Sequence, residues 1–341
     1  MDRFSTEYLM GVVEDLKRPP RFFLDRYFPR VETFSTEAID FDVVDRKRRV
    51  APLVSPLAAA KLTNQVGRVV KSLTPAYTKD KRVFDASRGF KRAIGEKIGG
   101  AVSPAQRIDL AIVGELEDQV NMLTRRQEVM GAEAMRTGKI VLVGEQYPAV
   151  TVDFNRDATL SPVALAGGAM WSAATATPLD NLRTWALLGL KKSGVFLTDV
   201  IMSVDVYQKF IVNAAVQARW AALNSNQLGT NLQLGVAQVE GAVYMGQIDG
   251  FNIFVYAGWY IDEQDAEQEI HPTGWVTMSA PAAVEGVRAQ GAIKDVENPV
   301  EAEFYAKSWT EPDPSVRYIM LVSAPLTVPV RPNATLGVKV Q

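Results

Sequence analysis

Apolar and polar positions alternate along the chain with two different periods, and the change from one to the other divides it into parts. Ile39, Phe41 and Val43 alternate with Asp40, Asp42 and Val44, the period of two of a half-buried strand. Between Ser103 and Gly138 the period lengthens: Ile108, Ile112, Leu116, Val120, Leu123, Met130 and Ala134 recur at spacings of 4, 4, 4, 3, 7 and 4, one face of a helix. Ser103 is placed to cap it, Pro104 takes the first helical position, and Gly138 follows a basic last turn at Arg136. The pattern predicts a helix over 104–137, roughly 51 Å long at 1.5 Å per residue and about three times the usual length, which makes it a spine.

On either side of the spine the punctuation is equally readable. KIVLVGEQYPAVTVDFNRD holds two strand runs around a turn from Gly144 to Pro148. ALAGGAMWSAATATP is small-residue, flexible chain; its AGGA lacks the preceding strand and the Lys-Ser/Thr ending of a phosphate loop. A helix is expected from Leu179 to Lys192, ending at Gly194, then a strand in GVFLTDVIMS and a helix from Val204 to Leu223 capped by Ser203. GAVYMGQIDGFNIFVYAGWYID follows, where Asp249-Gly250 between alternating runs signals a hairpin. This portion reads as a compact mixed α/β domain, and a strand-rich return leads into WTEPDPSVRYIMLVSAPL, read as a proline-bent turn with Trp309 as a packing anchor, feeding a buried strand.

The first 34 residues read as an arm: an amphipathic helix from Thr6 to Lys17, ended by Pro19-Pro20, then Phe22, Phe23, Tyr27, Phe28 and Phe34. So many rings need a surface to bury against, either the chain's own core or a neighbour. Residues 35–95 are strand-rich, basic and poor in large apolar side chains, so they read as an extended loop or hairpin projecting from a body.

Charge sharpens this division. Residues 30–100 carry 15 Lys/Arg against 8 Asp/Glu, a net +7, whereas residues 101–341 carry 17 against 26, a net −9. The tetrad Arg46, Lys47, Arg48, Arg49 and the group Lys79, Lys81, Arg82 are the basic foci of the loop. A basic segment balanced by an acidic remainder can dock on another copy of the same chain, with the charges setting register.

Candidate chemistry is sparse. The 341 residues are 47% hydrophobic and 22% charged, a soluble globular profile. The longest apolar run, YIMLVSAPLTVPV, has 13 residues and two prolines, too short to cross a bilayer, and the N-terminal stretch has no run suited to a signal peptide. There is no cysteine, hence no disulfide and no thiolate chemistry, and the single histidine, His271, precedes a proline and reads as a loop residue. Glu115 and Asp118 share one face of the spine and read as a solvated helix face. No catalytic, cofactor-binding or metal residue is assigned. Glu311 and Asp313 are the remaining carboxylate pair, two residues apart on a bent segment with no assured separation for acid-base work across a sugar.

The order of parts, together with VSPL at 54–57, TPAYTKDK at 74–81, VGEQYPAVTVDFNR at 143–156, YMGQIDGFNIFVYAGWY at 244–260 and the KSW, DP and SAPL pattern from Lys307 to Leu326, resembles the lambda-type (E family) major capsid proteins of tailed phages. Their fold is the Hong Kong 97-type capsid fold, an α+β architecture, and the colinear resemblance covers essentially the whole chain. It implies an N-terminal arm at 1–34, an extended loop at 35–95, a peripheral domain at 96–160 carrying the spine helix, an axial domain at 177–283, return strands of the peripheral domain at 284–325 and a C-terminal tail at 326–341. It implies a non-enzymatic, cofactor-free protein of the virion, assembled in the host cytoplasm into pentamers and hexamers of an icosahedral shell. The shell would enclose double-stranded DNA, through a precursor that expands, with scaffolding, portal and decoration proteins as further partners. Expected subunit contacts are Phe22, Phe23, Tyr27, Phe28, Arg46, Lys47, Arg48, Arg49, Lys79, Lys81, Arg82, Glu311 and Asp313. Other readings are an encapsulin-like nanocompartment of the same fold, a glycosidase using Glu311 and Asp313, and a nucleic-acid-binding module using Arg46 to Arg49, which no recognition helix or RNA motif accompanies.

Overall fold

The computed structural model describes residues 3–19, 21–44, 53, 56, 68–85, 102–144, 147–225, 238–239, 241–295, 300–313 and 316–341. In chain order the first elements are α1 (Thr6–Asp15), α2 (Phe22–Tyr27), β1 (Arg30–Thr33), β2 (Ile39–Val44), β3 (Arg68–Leu73), β4 (Thr78–Asp85), α3 (Pro104–Thr137), β5 (Lys139–Gly144) and β6 (Tyr147–Asp153). Then come α4 (Pro178–Ser193), β7 (Asp199–Ser203), α5 (Val204–Val212), α6 (Ala214–Ser225), β8 (Gln238–Val239), β9 (Ala242–Ile248), β10 (Phe251–Tyr256), β11 (Trp259–Ile261) and β12 (Glu267–Glu269). The last are β13 (Trp275–Ser279), α7 (Pro281–Val284), β14 (Val287–Gln290), β15 (Tyr305–Glu311), β16 (Val316–Ser323), β17 (Pro325–Val328) and β18 (Thr335–Lys339).

The predicted spine is α3, with the predicted ends. Ser103 and Gln106 cap it reciprocally: the Ser103 hydroxyl accepts the Gln106 N–H at 3.3 Å, and the Gln106 side-chain carbonyl accepts the Ser103 N–H at 2.9 Å. Gly138 closes it at φ 72, a left-handed conformation that suits glycine. The last turn leaves carbonyls without helical partners. The guanidinium of Arg156 takes two of them, donating to the carbonyls of Met135 and Arg136, each at 2.9 Å.

The spine joins two cores. Its first half, Ile112, Leu116, Val120 and Leu123, packs with Leu9 and Val13 of α1, Phe84 of β4 and Ile319 and Leu321 of β16. Its second half, Met130, Ala134 and Met135, belongs to the larger core with α2 and the six-stranded sheet. That sheet has the order β18-β13-β7-β10-β9-β8, with β7 and β10 parallel and the other neighbours antiparallel. β7 is buried along its whole length, as an inner strand covered on both faces must be. Asp249 (φ 49) and Gly250 (φ 83) make the predicted hairpin turn between β9 and β10, both in the left-handed region that a tight primed turn requires.

Several expectations are corrected. The 326–341 segment is not a tail: β17 pairs with β14, and β18 is an edge strand of the main sheet on β13, with Leu336, Val338 and Val340 fully buried. Their period of two is the strand signature. The 1–34 segment lies against the chain's own body, one of the two possibilities left open for it: α1 sits in the first core, α2 in the second, and β1 runs parallel to β14. The loop expected at 35–95 holds the β2–β3 hairpin, but by Thr78 the chain has entered a three-stranded sheet of order β15-β16-β4. Phe84 turns inward there while Lys79, Lys81 and Val83 point outward.

The helix expected from Val204 to Leu223 breaks at Asn213, whose side-chain oxygen accepts the N–H of Ala215 and whose amide donates to the carbonyl of Ala176. Ser203 does not cap it; its hydroxyl accepts the N–H of Gly274 at 3.2 Å. The small-residue stretch near 166–171 is tied down: Leu165 and Trp171 donate backbone hydrogen bonds to Lys339 and Val340, and the buried Trp171 stacks on Trp185. Pro148 is not in the turn but inside β6.

Candidate subunit interface

Two buried carboxylates lock the N-terminal segment to the body. Glu128 of α3 accepts the backbone N–H groups of Phe23 at 2.8 Å and Leu24 at 3.0 Å, and the Tyr256 hydroxyl donates to it at 3.3 Å. Burial raises its pKa to about 7, against the three hydrogen bonds, which favour the charged form. Asp199 of β7 receives the Arg26 guanidinium at 2.6 Å, the Tyr27 hydroxyl at 3.0 Å and the Asn252 amide at 3.0 Å. Burial, and then the Asp199 charge, push the Tyr27 phenol well above its usual range. Phe22, Phe23, Tyr27 and Phe28 are consequently buried among the chain's own residues, Phe22 and Phe23 against Phe254 and Tyr256. They fill this chain's core and leave no ring face for a neighbour, so of the two burial partners the rings could have had, the chain itself is the one they use.

The other expected contact residues separate. Arg46, Lys47, Arg48 and Arg49 lie outside the described residues. Arg82 turns to the spine, pairing with Asp80 at 2.8 Å, Glu115 at 3.0 Å and Asp118 at 2.6 Å. Its burial lowers the pKa, but Glu115, Asp118 and Asp80 together raise it above the usual value. It is satisfied within the chain, and Glu115 and Asp118 form its receptor rather than a plain solvated face. Lys79 and Lys81 remain exposed on the outer face of the β15-β16-β4 sheet, Lys81 over the Tyr318 ring at 4.9 Å. Trp309, 36% exposed, lies against the same ring at 5.4 Å, so it borders an aromatic and basic face instead of anchoring a core. Glu311 ends β15 and Asp313 lies in the turn after it, both exposed at a hairpin tip.

Among the described residues no group of three or more His, Asp or Glu side chains could hold a metal ion, and no helix is long and apolar enough to cross a membrane. His271 is in a loop, as expected, but only 2% exposed, with Nε2 3.0 Å from the Thr277 hydroxyl. Burial, and secondarily Arg136, lower its pKa to about 3.

Surface that the sequence did not single out lies beside the spine. An open groove of about 810 Å3 runs between α3 and the β5–β6 and β11–β12 hairpins, lined among others by Met122, Arg125, Val141, Val143 and Ile261. All five side chains are exposed. Between Arg219 and Arg288 the sequence holds no Lys or Arg but eight Asp/Glu, and five of these, Asp262, Glu263, Asp265, Glu267 and Glu269, stand on or beside the β11–β12 hairpin. That charge run is the signal that would have found the hairpin. For Glu128 the signal is the seven-residue gap in the apolar stripe between Leu123 and Met130, where Gln127 and Glu128 are buried.

The described residues thus form a helical spine bridging two cores, a mixed six-stranded sheet and smaller hairpins, with apolar and charged side chains left exposed. Residues 5–340 match the model of the family described as phage major capsid protein E, and the chain belongs to that family. It is 28% identical over 360 residues to the major capsid protein of Enterobacteria phage P21, covering 100% of each chain. To the major capsid protein of Escherichia phage lambda it is 24% identical over 348 residues, covering 99% of each. A crystal structure described as a capsid protein of an E. coli CFT073 prophage superposes with a TM-score of 0.73 at 23% identity, over 98% of this chain and 99% of that one. The fold is therefore Hong Kong 97-like, and the resemblance read from the motifs holds.

Proposed function

We propose that copies of this chain assemble into the pentamers and hexamers of an icosahedral phage head that encloses double-stranded DNA, through a precursor shell that expands. The match of one family model to residues 5–340, all but the chain's first four residues and its last, carries the reading. Exposed apolar side chains such as Val141, Val143 and Ile261 support it, since contiguous apolar surface marks a contact face. So does the charge division between residues 30–100 and the remainder.

In this reading the six-stranded sheet body lies toward the symmetry axes, and α3 with the β15-β16-β4 sheet forms the periphery. The basic segment around 46–49 reaches a neighbouring copy. The subunit performs no reaction, assembles in the host cytoplasm with scaffolding and portal proteins, and meets decoration proteins and packaged DNA in the virion. The encapsulin-like alternative is not favoured by relatives that are phage capsid proteins, and two exposed carboxylates at a hairpin tip do not favour a glycosidase.

Expression with the scaffolding partner of its gene cluster tests the proposal. Shells tens of nanometres across in negative stain are expected, and a stable monomer under every assembly condition, scaffold present, overturns it.

A further inference from the structure

The spine changes character where its two cores meet. Leu123 belongs to the first core and Met130 to the second, and between them Thr124, Gln127 and Glu128 are buried. Glu128 is satisfied by Phe23, Leu24 and Tyr256. The other two are not: the Thr124 hydroxyl and both polar atoms of the Gln127 amide are buried without a hydrogen-bond partner among the described residues.

The strands against this part of the spine carry the same signature. α3 packs on β17, and β17 pairs with β14 in a register that sets Thr327 opposite Arg288 and Pro325 opposite Gln290. These four side chains therefore share one face of the pair. Pro325 lines the groove beside α3 together with Leu123 and Met130, which turns that face toward the spine. A Cβ on Gly286, just before β14, would meet the Phe28 ring, and one on Gly131 of α3 would touch the same ring at 3.4 Å, so a single ring spans helix and strand there. On this face Arg288 Nε, Gln290 Nε2 and the Thr327 hydroxyl are again buried without a partner among the described residues.

Buried polar groups are normally paired, and six unpaired atoms along one helix-to-strand contact depart from that rule. The set is also self-sufficient. Three nitrogens bear N–H, the Gln127 carbonyl accepts, and the two hydroxyls do both. Apolar cores on either side resist a gradual deformation, whereas a shift of the spine at the seam breaks no hydrogen bond of these six atoms.

We propose that the polar seam between Thr124 and Gln127 of α3 and Arg288, Gln290 and Thr327 of β14 and β17 is a slip joint with a second packing, in which a small shift of the spine along the strands pairs these groups with one another. The inference rests on the shell-subunit reading for its use, since the two packings are assigned to the precursor and the expanded shell. A seam held rigid by fixed water is an outcome that the test separates.

Thr327→Val and Gln127→Leu remove polar atoms at nearly constant size. Where the groups are unpaired in the packing described, neither variant lowers the thermal midpoint of the isolated subunit, whereas groups bound to fixed water lose their partners and both variants fall. Native-state hydrogen exchange of the same subunits should show the β14 and β17 amides slowed about tenfold or more in each variant, because the second packing is no longer favoured, with amides from Ile112 to Val120 unchanged. A lowered midpoint in both variants, or strand amides that exchange as fast as in the wild type or faster, overturns the joint.

Shells supply the second readout. Wild-type precursor shells treated with low urea are expected to change diameter, and under the same treatment the fraction of either variant's shells that does so should be about tenfold smaller. Variant shells that expand like the wild type overturn the joint and leave the shell reading intact. Absence of shells from the unsubstituted protein overturns the shell reading instead, and midpoint and exchange of the subunit still decide the joint.

Discussion

Glu128 holds the N–H of Phe23 at 2.8 Å through one carboxylate oxygen, and that of Leu24 at 3.0 Å through the other, so one side chain of the spine fixes the start of α2. Tyr256 ties the same carboxylate to β10. N-terminal segment, spine and main sheet therefore meet at a single buried acid.

The pH dependence of stability follows from that acid. Its pKa rises from 4.5 to about 7 on folding, mainly through burial. Between those values the folded state keeps a proton that the unfolded chain has lost, so this group's contribution is full at low pH and declines as pH rises toward 7. Glu128→Gln removes the slope. It also leaves one backbone N–H facing an amide N–H, at a cost of about 1–3 kcal/mol. Urea midpoints at pH 5 and pH 8 should show a wider gap between the wild-type and Gln subunits at pH 5.

Arg156 closes the C-terminal end of the spine. Burial lowers its pKa to about 10, and its fork spans the carbonyls of Met135 and Arg136 and the Ser161 hydroxyl. Arg156→Ala strands two carbonyls and should cost about 2 kcal/mol or more. Arg156→Lys should recover little of it, because a single ammonium does not reproduce the planar fork. Thermal unfolding of the unassembled subunit reads both.

Gly337 of β18 runs directly against the carbonyl of Arg136, and a Cβ there would collide with that carbonyl. Its backbone is not left-handed, so close approach alone demands the glycine. Gly337→Ala must push β18 off α3, and a loss of about 1–3 kcal/mol is expected, as for an overpacked core. An unchanged unfolding midpoint would show that β18 is not seated there.

Legibility in the sequence followed the range of the interactions. The spine was readable to its caps because Ser103, Pro104 and Gly138 act within a turn of themselves, and the Asp249-Gly250 hairpin for the same reason. The break at Asn213 was not, since it depends on the carbonyl of Ala176, 37 positions away. The burial of Phe22, Phe23, Tyr27 and Phe28 depends on Glu128 and Asp199, more than 100 positions along the chain. Of the expected interface, type and charge were legible but orientation was not. Lys79, Lys81 and Arg82 look alike in the sequence, and only the pleat of β4 separates the two outward lysines from the inward arginine.

That pleat gives the last prediction. Arg82 binds Glu115 and Asp118 of the spine and Asp80 of its own strand, with its side chain 25% exposed. Arg82→Glu places a fourth carboxylate among three. A partly exposed pair is worth about 1 kcal/mol, so the reversal should lower the thermal midpoint of the isolated subunit by about 2 °C or more, and less at high salt. Lys79→Glu with Lys81→Glu breaks no ion pair among the described residues and loses two exposed cation–π contacts, Lys79 over Tyr77 and Lys81 over Tyr318, so the subunit's midpoint should fall less than with Arg82→Glu, which loses three ion pairs. In the shell reading, that same face meets other subunits, and the lysine variant should lose particle yield although its fold is intact. Midpoint and yield measured on both variants separate the two roles: one arginine that secures the strand to its own spine, and two lysines, one and three residues before it, whose side chains lie on the exposed face.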